Sequence, residues 1–253
     1  GVALYQLNGN ANDVSGNYNG TASNVTYGTG VFGQAGVFNG SSSYVDLSNT
    51  ASINYSNISF SLWFRSNTQN TGNGMALMGK GAATNFIIFE YAGILGVQIK
   101  QNGTFNSPVV SFANNQWYHL AFTISGGNTF KLYLNGVLQW TGTGTYPQTS
   151  ENTQIGRSTD PYWQKWNGSI DQVRIFNTAL TPLEVEALYT EKLCICDGTV
   201  DTLQVLGDSS CVATYQLDGN ANDLSGNYSG TATNVSYGVG EFDLAGVFNG
   251  SSS

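Results

Sequence analysis

In ISFSLWFR, residues 58 to 65, apolar and polar side chains alternate. Ile58, Phe60, Leu62 and Phe64 therefore share one face of a strand, and Ser59, Ser61, Trp63 and Arg65 share the other. WYHLAFTI, residues 117 to 124, repeats the pattern, setting Tyr118, Leu120, Phe122 and Ile124 against Trp117, His119, Ala121 and Thr123. NFIIFEY and ILGVQIK read as two further strands separated by Ala92 and Gly93. In FKLYLNGVLQW, the Asn135-Gly136 pair predicts a type I′ hairpin, because both central residues of that turn need positive φ. One helix breaks the pattern. TALTPLEVEALYTE offers Thr181 as N-cap, Pro182 at the first helical position and Glu184 two residues on, followed by Val185, Leu188 and Tyr189 at helical spacing. Strands joined by turns, closed by one short helix, predict an all-β, antiparallel two-sheet sandwich.

The opening of the chain is written twice. Residues 1 to 43 align without a gap on residues 211 to 253, and 32 of the 43 positions are identical. Most mismatches are mild, such as Val14 against Leu224 and Thr26 against Ser236. A repeat with a domain-sized period predicts an array of whole units. The expected organisation is a complete unit at 1–190, a link at 191–210 and the start of a second copy at 211–253, a window on a longer repetitive polypeptide.

Charged residues make up only 9% of the chain, while hydrophobic residues reach 40% and aromatic ones 13%. The chain is too apolar for disorder, and its solubility rests on neutral polar side chains, as in many extracellular β proteins. A net charge of −8, with 8 scattered basic residues, leaves no electrostatic footprint for nucleic acid. No apolar run reaches the ~20 residues that would span a bilayer, so no membrane insertion is expected. The predicted location is extracellular or surface-exposed, as in a secreted fibre, an adhesin or a phage surface. Cys194, Cys196 and Cys211 all fall in or beside the link. A bridge from Cys211 to Cys194 or Cys196 would stiffen the joint by roughly 3 kcal/mol. The other reading is three reduced thiols, since spacing alone does not assign connectivity.

Taken in order, YQLNGNANDVSGNYNGTA, AGVFNGSSSYVDL, ISFSLWFR, WYHLAFT, KLYLNGVL, TQIGRS and GSIDQVRIFNTALTPLEVEALY resemble the laminin-G-like, concanavalin A-like jelly rolls, a family with pentraxin and lectin relatives. The resemblance covers residues 1 to 190 and is most specific in GSIDQVRI running into LTPLEVEAL. It implies two antiparallel sheets in jelly-roll topology. It leaves function open, because the fold carries lectins, adhesion modules, spacers and glycosidases. Relatives commonly hold Ca²⁺ where the loop after the first strand meets the last strand. On this chain that position implies Asp13 in NANDVSGN and Asp171 in GSIDQVR as ligands. The alternative reading is an Asx-turn at Asp13, with Asp171 paired to Arg174 or a backbone amide.

Glycosidases on this fold place two carboxylates on one strand at Glu-x-Asp-type spacing, and no such pair occurs. Glu184 and Glu186 lie on the helix, where i and i+2 side chains diverge. His119 is the only histidine, sits mid-strand and reads as a packed, hydrogen-bonded residue. No phosphate loop, zinc spacing or Ser-His-Asp signal is visible, so no enzyme is expected. For ligand binding the best candidate is RSTDPYWQKWNGS, residues 157 to 169, where Tyr162, Trp163 and Trp166 crowd a polar loop beside Arg157 and Asp160. Flat aromatic faces next to hydrogen-bonding groups are what a sugar platform requires, although loop aromatics also fold back as a local mini-core.

Three functions fit these observations: a non-catalytic structural or adhesive repeat assembled head to tail into a fibre, a carbohydrate-binding module acting domain by domain, and an accessory to an enzyme. The repeat favours the first, with neighbouring copies and cell-surface glycans as partners, because arrays multiply weak contacts.

Overall fold

The computed structural model describes residues 1–69, 73–81, 85–100, 104–106, 110–146, 149–191, 217, 219–222, 229–239 and 244–251. Its strands begin with β1 (Ala3–Tyr5), β2 (Gly20–Ser23), β3 (Thr26–Thr29), β4 (Gln34–Asn39), β5 (Tyr44–Leu47) and β6 (Ile58–Ser66). Then come β7 (Met75–Lys80), β8 (Asn85–Tyr91), β9 (Ile94–Lys100), β10 (Thr104–Asn106), β11 (Val110–Ser111) and β12 (Tyr118–Ser125). The unit ends with β13 (Thr129–Leu134), β14 (Val137–Thr143), β15 (Thr153–Ile155), β16 (Gln164–Lys165), β17 (Asn167–Phe176) and the helix α1 (Pro182–Thr190). Gly1–Thr190 and Glu191–Ser253 are separate compact units, and the second contains β18 (Ser236–Val239) and β19 (Leu244–Val247).

The first unit is a two-sheet sandwich with the concanavalin A-like jelly-roll fold. Sheet A runs β14-β13-β12-β6-β17-β4-β3, with β1 also on β17, and sheet B runs β10-β9-β8-β7-β15-β5-β2, with β11 on β9 and β16 on β7. All pairings are antiparallel except the short β16–β7 contact. The expected inward set fills the core: Ile58, Phe60, Leu62, Phe64, Leu120, Phe122 and Ile124 are buried between the sheets. Phe60, Phe86 and Phe122 stack across that core at 4.7 and 5.5 Å. Leu4 pairs with Arg174, which brings the start of the unit onto its last strand.

Asn135 and Gly136 form the predicted two-residue turn with φ of 50° and 76°, and Ala92 and Gly93 do the same between β8 and β9. The helix starts as its capping residues dictate: the Thr181 amide donates to Glu184 Oε2 at 2.7 Å, and the Glu184 amide donates back to Thr181 Oγ1 at 3.3 Å. It lies on the outer side of sheet A, where Tyr189 stacks on Trp63 at 5.8 Å and contacts His119 at 6.1 Å. That cover explains why Ser61 and His119 are buried even though they face away from the core.

Lys80, at the end of β7, is also buried, at 2% exposure. Its ammonium donates to the carbonyls of Ile53 (2.8 Å), Thr50 (3.1 Å) and Ala51 (3.4 Å) and to Asn54 Oδ1 (3.0 Å). The side chain closes the short 3₁₀ turn Thr50–Ser52 against sheet B.

In the second unit, β18 and β19 pair with Ser236 opposite Val247 and Val239 opposite Leu244. Cys194, Cys196 and Cys211 lie outside the described residues, so the bridge read from the sequence has no structural counterpart to set beside it.

Candidate functional site

The loop after β15 crosses the outer side of sheet B, the side turned away from the core. Val45, Leu47 and Ile155 point into the core, so period-two alternation turns Tyr44, Asp46 and Gln154 outward. There the Gln154 amide donates to Asp46 Oδ2 at 3.0 Å, and Arg157 Nε donates to Gln154 Oε1 at 2.9 Å. The Arg157 guanidinium sits 3.4 Å from the centre of the Tyr44 ring. Further along, Ser158 packs on Gly79, where an added Cβ would lie 2.8 Å from the serine Cβ. The loop turns at Asp160, whose Oδ1 accepts from the Tyr162 amide at 3.1 Å. Trp163 then settles over Gly74 and against Phe89, ring centroids 4.4 Å apart. Tyr162 meets Trp163 edge-on at 5.3 Å and is 55% exposed.

Four of the five residues read from the sequence lie along this loop outside the core. Arg157 and Tyr162 present hydrogen-bonding and aromatic surface, Trp163 is half-buried, and Asp160 shapes the turn. Trp166 is a correction: it is fully buried and meets Phe64 edge-on at 5.9 Å inside the sandwich. The reason is parity. Residues three apart in extended chain point to opposite sides, and β16 lies between Trp163 and Trp166, so one reaches the outer side and the other the core. Tyr44, Asp46, Gln154 and Phe89 were missed. The alternation in YVDL turns Tyr44 and Asp46 outward, but nothing local says that residue 154 will lie beside them.

Asp13 and Asp171 are both engaged as hydrogen-bond acceptors. Asp13 Oδ1 accepts from the Leu4 amide at 2.9 Å, and Oδ2 accepts from Ser15 Oγ and the Tyr18 amide. Burial pushes the Asp13 carboxyl up, but these donors outweigh it and hold it below its ordinary value. Asp171 Oδ2 accepts from the amides of Val31 (2.8 Å) and Phe32 (3.0 Å), so it anchors the turn between β3 and β4. Burial raises Asp171 to about 6 against the opposing pull of those amides. Its Oδ1, buried without a hydrogen-bond partner, is the one open atom of the pair, whereas Ca²⁺ takes six to eight oxygens. The two carboxylates share no partner, and no cluster of three or more His, Cys, Asp or Glu occurs among the described residues. This donor set does not fit calcium. Exchanging Ca²⁺ for EDTA is expected to leave the melting temperature unchanged to within about 1 °C; a calcium-dependent rise of several degrees would restore the metal reading.

His119 is 1% exposed, and its Nε2 lies 2.8 Å from Ser61 Oγ. Burial, reinforced by Arg174, lowers it to about 3, so the ring is neutral at physiological pH. A neutral imidazole sealed beneath Trp63 and Tyr189 is not placed to exchange protons with a substrate. Among the described residues, no helix is long and apolar enough to cross a membrane.

Comparison with solved structures gives the same sandwich. Domain 4 of AbnA, a GH43 extracellular arabinanase from Geobacillus stearothermophilus solved in complex with arabinotriose, aligns with a TM-score of 0.64 at 24% identity, covering 74% of this chain and 97% of that one. The binding domain of Paraclostridial Mosquitocidal Protein 1 aligns at 0.61 and 19% identity, and the receptor-binding domain of botulinum neurotoxin C/D mosaic serotype at 0.59 and 16%. The alignments cover 74% of this chain but only 51% and 50% of those two chains, about half their length. At these identities the likeness establishes the fold alone. No match was found among curated proteins. A laminin G-type family model, described as the concanavalin A-like lectin/glucanases superfamily, matches residues 39–186, from the end of β4 into α1, and the chain belongs to that superfamily.

Proposed function

We propose that the first unit is a non-catalytic, adhesive carbohydrate-binding module that works outside the cell. The observation that carries this reading is the 157–163 loop. It sets Trp163 on the Phe89 ring with Tyr162 edge-on to Trp163, and it holds Arg157 on the Tyr44 ring on the same side of sheet B. A sugar ring stacks its C–H face on such an aromatic surface, and each stack contributes about 1 kcal/mol. Gln154 engages Arg157 through Nε, which leaves the terminal nitrogens of the fork to reach ring hydroxyls. The solved relatives support a binding role: one is described with arabinotriose, and the others are described as binding or receptor-binding domains. Arabino-oligosaccharides are therefore the first probes.

The repeated opening segment favours multivalent use of this surface, with units strung head to tail in a fibre or surface appendage, because arrays gain avidity from individually weak sites. Titration calorimetry against soluble oligosaccharides, guided by a glycan array, tests the site. Tyr162→Ala and Arg157→Ala are each expected to weaken binding about tenfold, or ~1.4 kcal/mol, with the melting temperature unchanged. Binding that ignores both substitutions, or no glycan retained at millimolar concentration, would refute it.

A further inference from the structure

On a chain whose net charge is −8, the strands of sheet A carry three cations, Arg65, Lys131 and Arg174, against one carboxylate, Asp171. Their strand neighbours Phe64, Phe130, Leu132, Val173 and Ile175 lie in the core, so alternation turns the cations to the outer side. Asp171 is buried, and its Oδ2 is taken by the Val31 and Phe32 amides. What these strands offer a solute is therefore positive charge.

Part of this side is covered and part is open. β12, β6 and β17 bring His119, Trp63 and Asp171 into one row. Tyr189 of α1 lies over Trp63 and His119, and Phe32 meets Trp63 edge-on at 6.2 Å. Two residues along each strand, the same register sets Trp117, Arg65 and Ser169 in a second row, which Val37 continues on β4. Trp117, Arg65 and Val37 are each half-buried, so this row reaches solvent beside the covered one. It crosses three strand spacings, about 14 Å, which is room for a short oligosaccharide.

In that row Arg65 is positioned without being used up. Its guanidinium carbon lies 5.5 Å from the centre of the Trp117 ring, and Nη2 reaches Ser169 Oγ only at 3.5 Å. Nε is buried with no acceptor, and no ion pair engages Arg65 among the described residues. A buried donor left unpaired is costly, and a guanidinium fork is shaped to take a carboxylate through two parallel hydrogen bonds. Trp117 adds an apolar face on which the C–H surface of a sugar ring stacks. One row further on, Asn67 Nδ2 donates to Asn167 Oδ1 at 3.2 Å, an amide pair beside which sugar hydroxyls find both donors and acceptors.

We propose that the outer side of sheet A is a second saccharide site, centred on Arg65 and Trp117, that takes a sugar bearing a carboxylate, of the uronic acid type. The acid gives Arg65 the acceptor it lacks, Trp117 holds the ring, and the contact weakens as salt rises. The 157–163 loop lies on sheet B, so the two sites face opposite ways and one unit holds two glycan chains at once. The sheet A site shares no residue with the loop and does not depend on it.

The test titrates the full chain with an oligogalacturonate and with its methyl ester, which keeps the sugar and loses the charge. Trp117→Ala and Arg65→Gln are each expected to weaken binding of the acid about tenfold, and the ester is expected to bind the wild type about tenfold more weakly than the acid does. Tyr162→Ala should leave binding of the acid unchanged. Should Trp117→Ala lower the melting temperature, Arg65→Gln and the ester decide the matter between them. Acid and ester bound alike, acid binding lost in Tyr162→Ala but kept in Arg65→Gln, or no binding at millimolar acid overturns the proposal. The arabino-oligosaccharide titration of the sheet B loop stands or falls separately from each of these results.

Discussion

A full-length chain carrying Trp166→Ala is expected to unfold with about 3–5 kcal/mol less stability than wild type, the loss typical of emptying an aromatic site in a packed core. The indole is fully buried, edge-on to Phe64, which itself stacks near Tyr118 and Phe112. None of these rings can collapse far into the vacated volume without leaving its own contacts. Trp163→Ala, three residues away and half-buried on the outer side, should lose only about 1–2 kcal/mol. Urea unfolding of the pair separates the two roles. Equal losses would mean that the outer indole is as much a part of the core as the inner one.

The second large effect lies at Lys80. Lys80→Met keeps the apolar stem and deletes the ammonium, leaving the Thr50 and Ile53 carbonyls and Asn54 Oδ1 without their donor. Stranding buried acceptors costs about 1–3 kcal/mol each before relaxation, so a net loss of about 3 kcal/mol is expected. Burial lowers Lys80 to about 8 from its ordinary value, so the folded chain gives up this proton before the unfolded chain does. By linkage, stability should climb through this group as pH rises from about 8 to 10.5, and the methionine variant should lack that climb. Urea midpoints at pH 7 and at pH 9 report both effects. Identical midpoints for wild type and variant at pH 7 would show that water replaces the ammonium without loss.

The strands were legible wherever one face is buried and the other is not. ISFSLWFR and WYHLAFTI announce their core sides, and the capping box at Thr181 and Glu184 announces where the helix begins. Lys80 was not legible. A lysine closing the apolar run MALMGK reads as the solvent end of a strand, and the oxygens that receive it come from a turn 26 to 30 residues earlier. The outer side of sheet B was half legible. Tyr44 and Asp46 share a face by simple alternation, but Gln154 joins them through a strand pairing more than a hundred residues long in sequence separation. The crowded loop 157–169 drew attention for its aromatics, and its split into one outer and one inner tryptophan depends on where β16 begins, which side-chain types alone do not specify.

Beneath Trp163 the rings are tiered. Phe89 lies so close over Gly96 that a Cβ there would come within 2.5 Å of the ring, and the indole rests on Phe89 in turn. A surface propped from below in this way has already given up its rotamer freedom during folding. A ligand that lands on it freezes few torsions, so even shallow, transient contacts should form with little entropic opposition and with fast on and off rates.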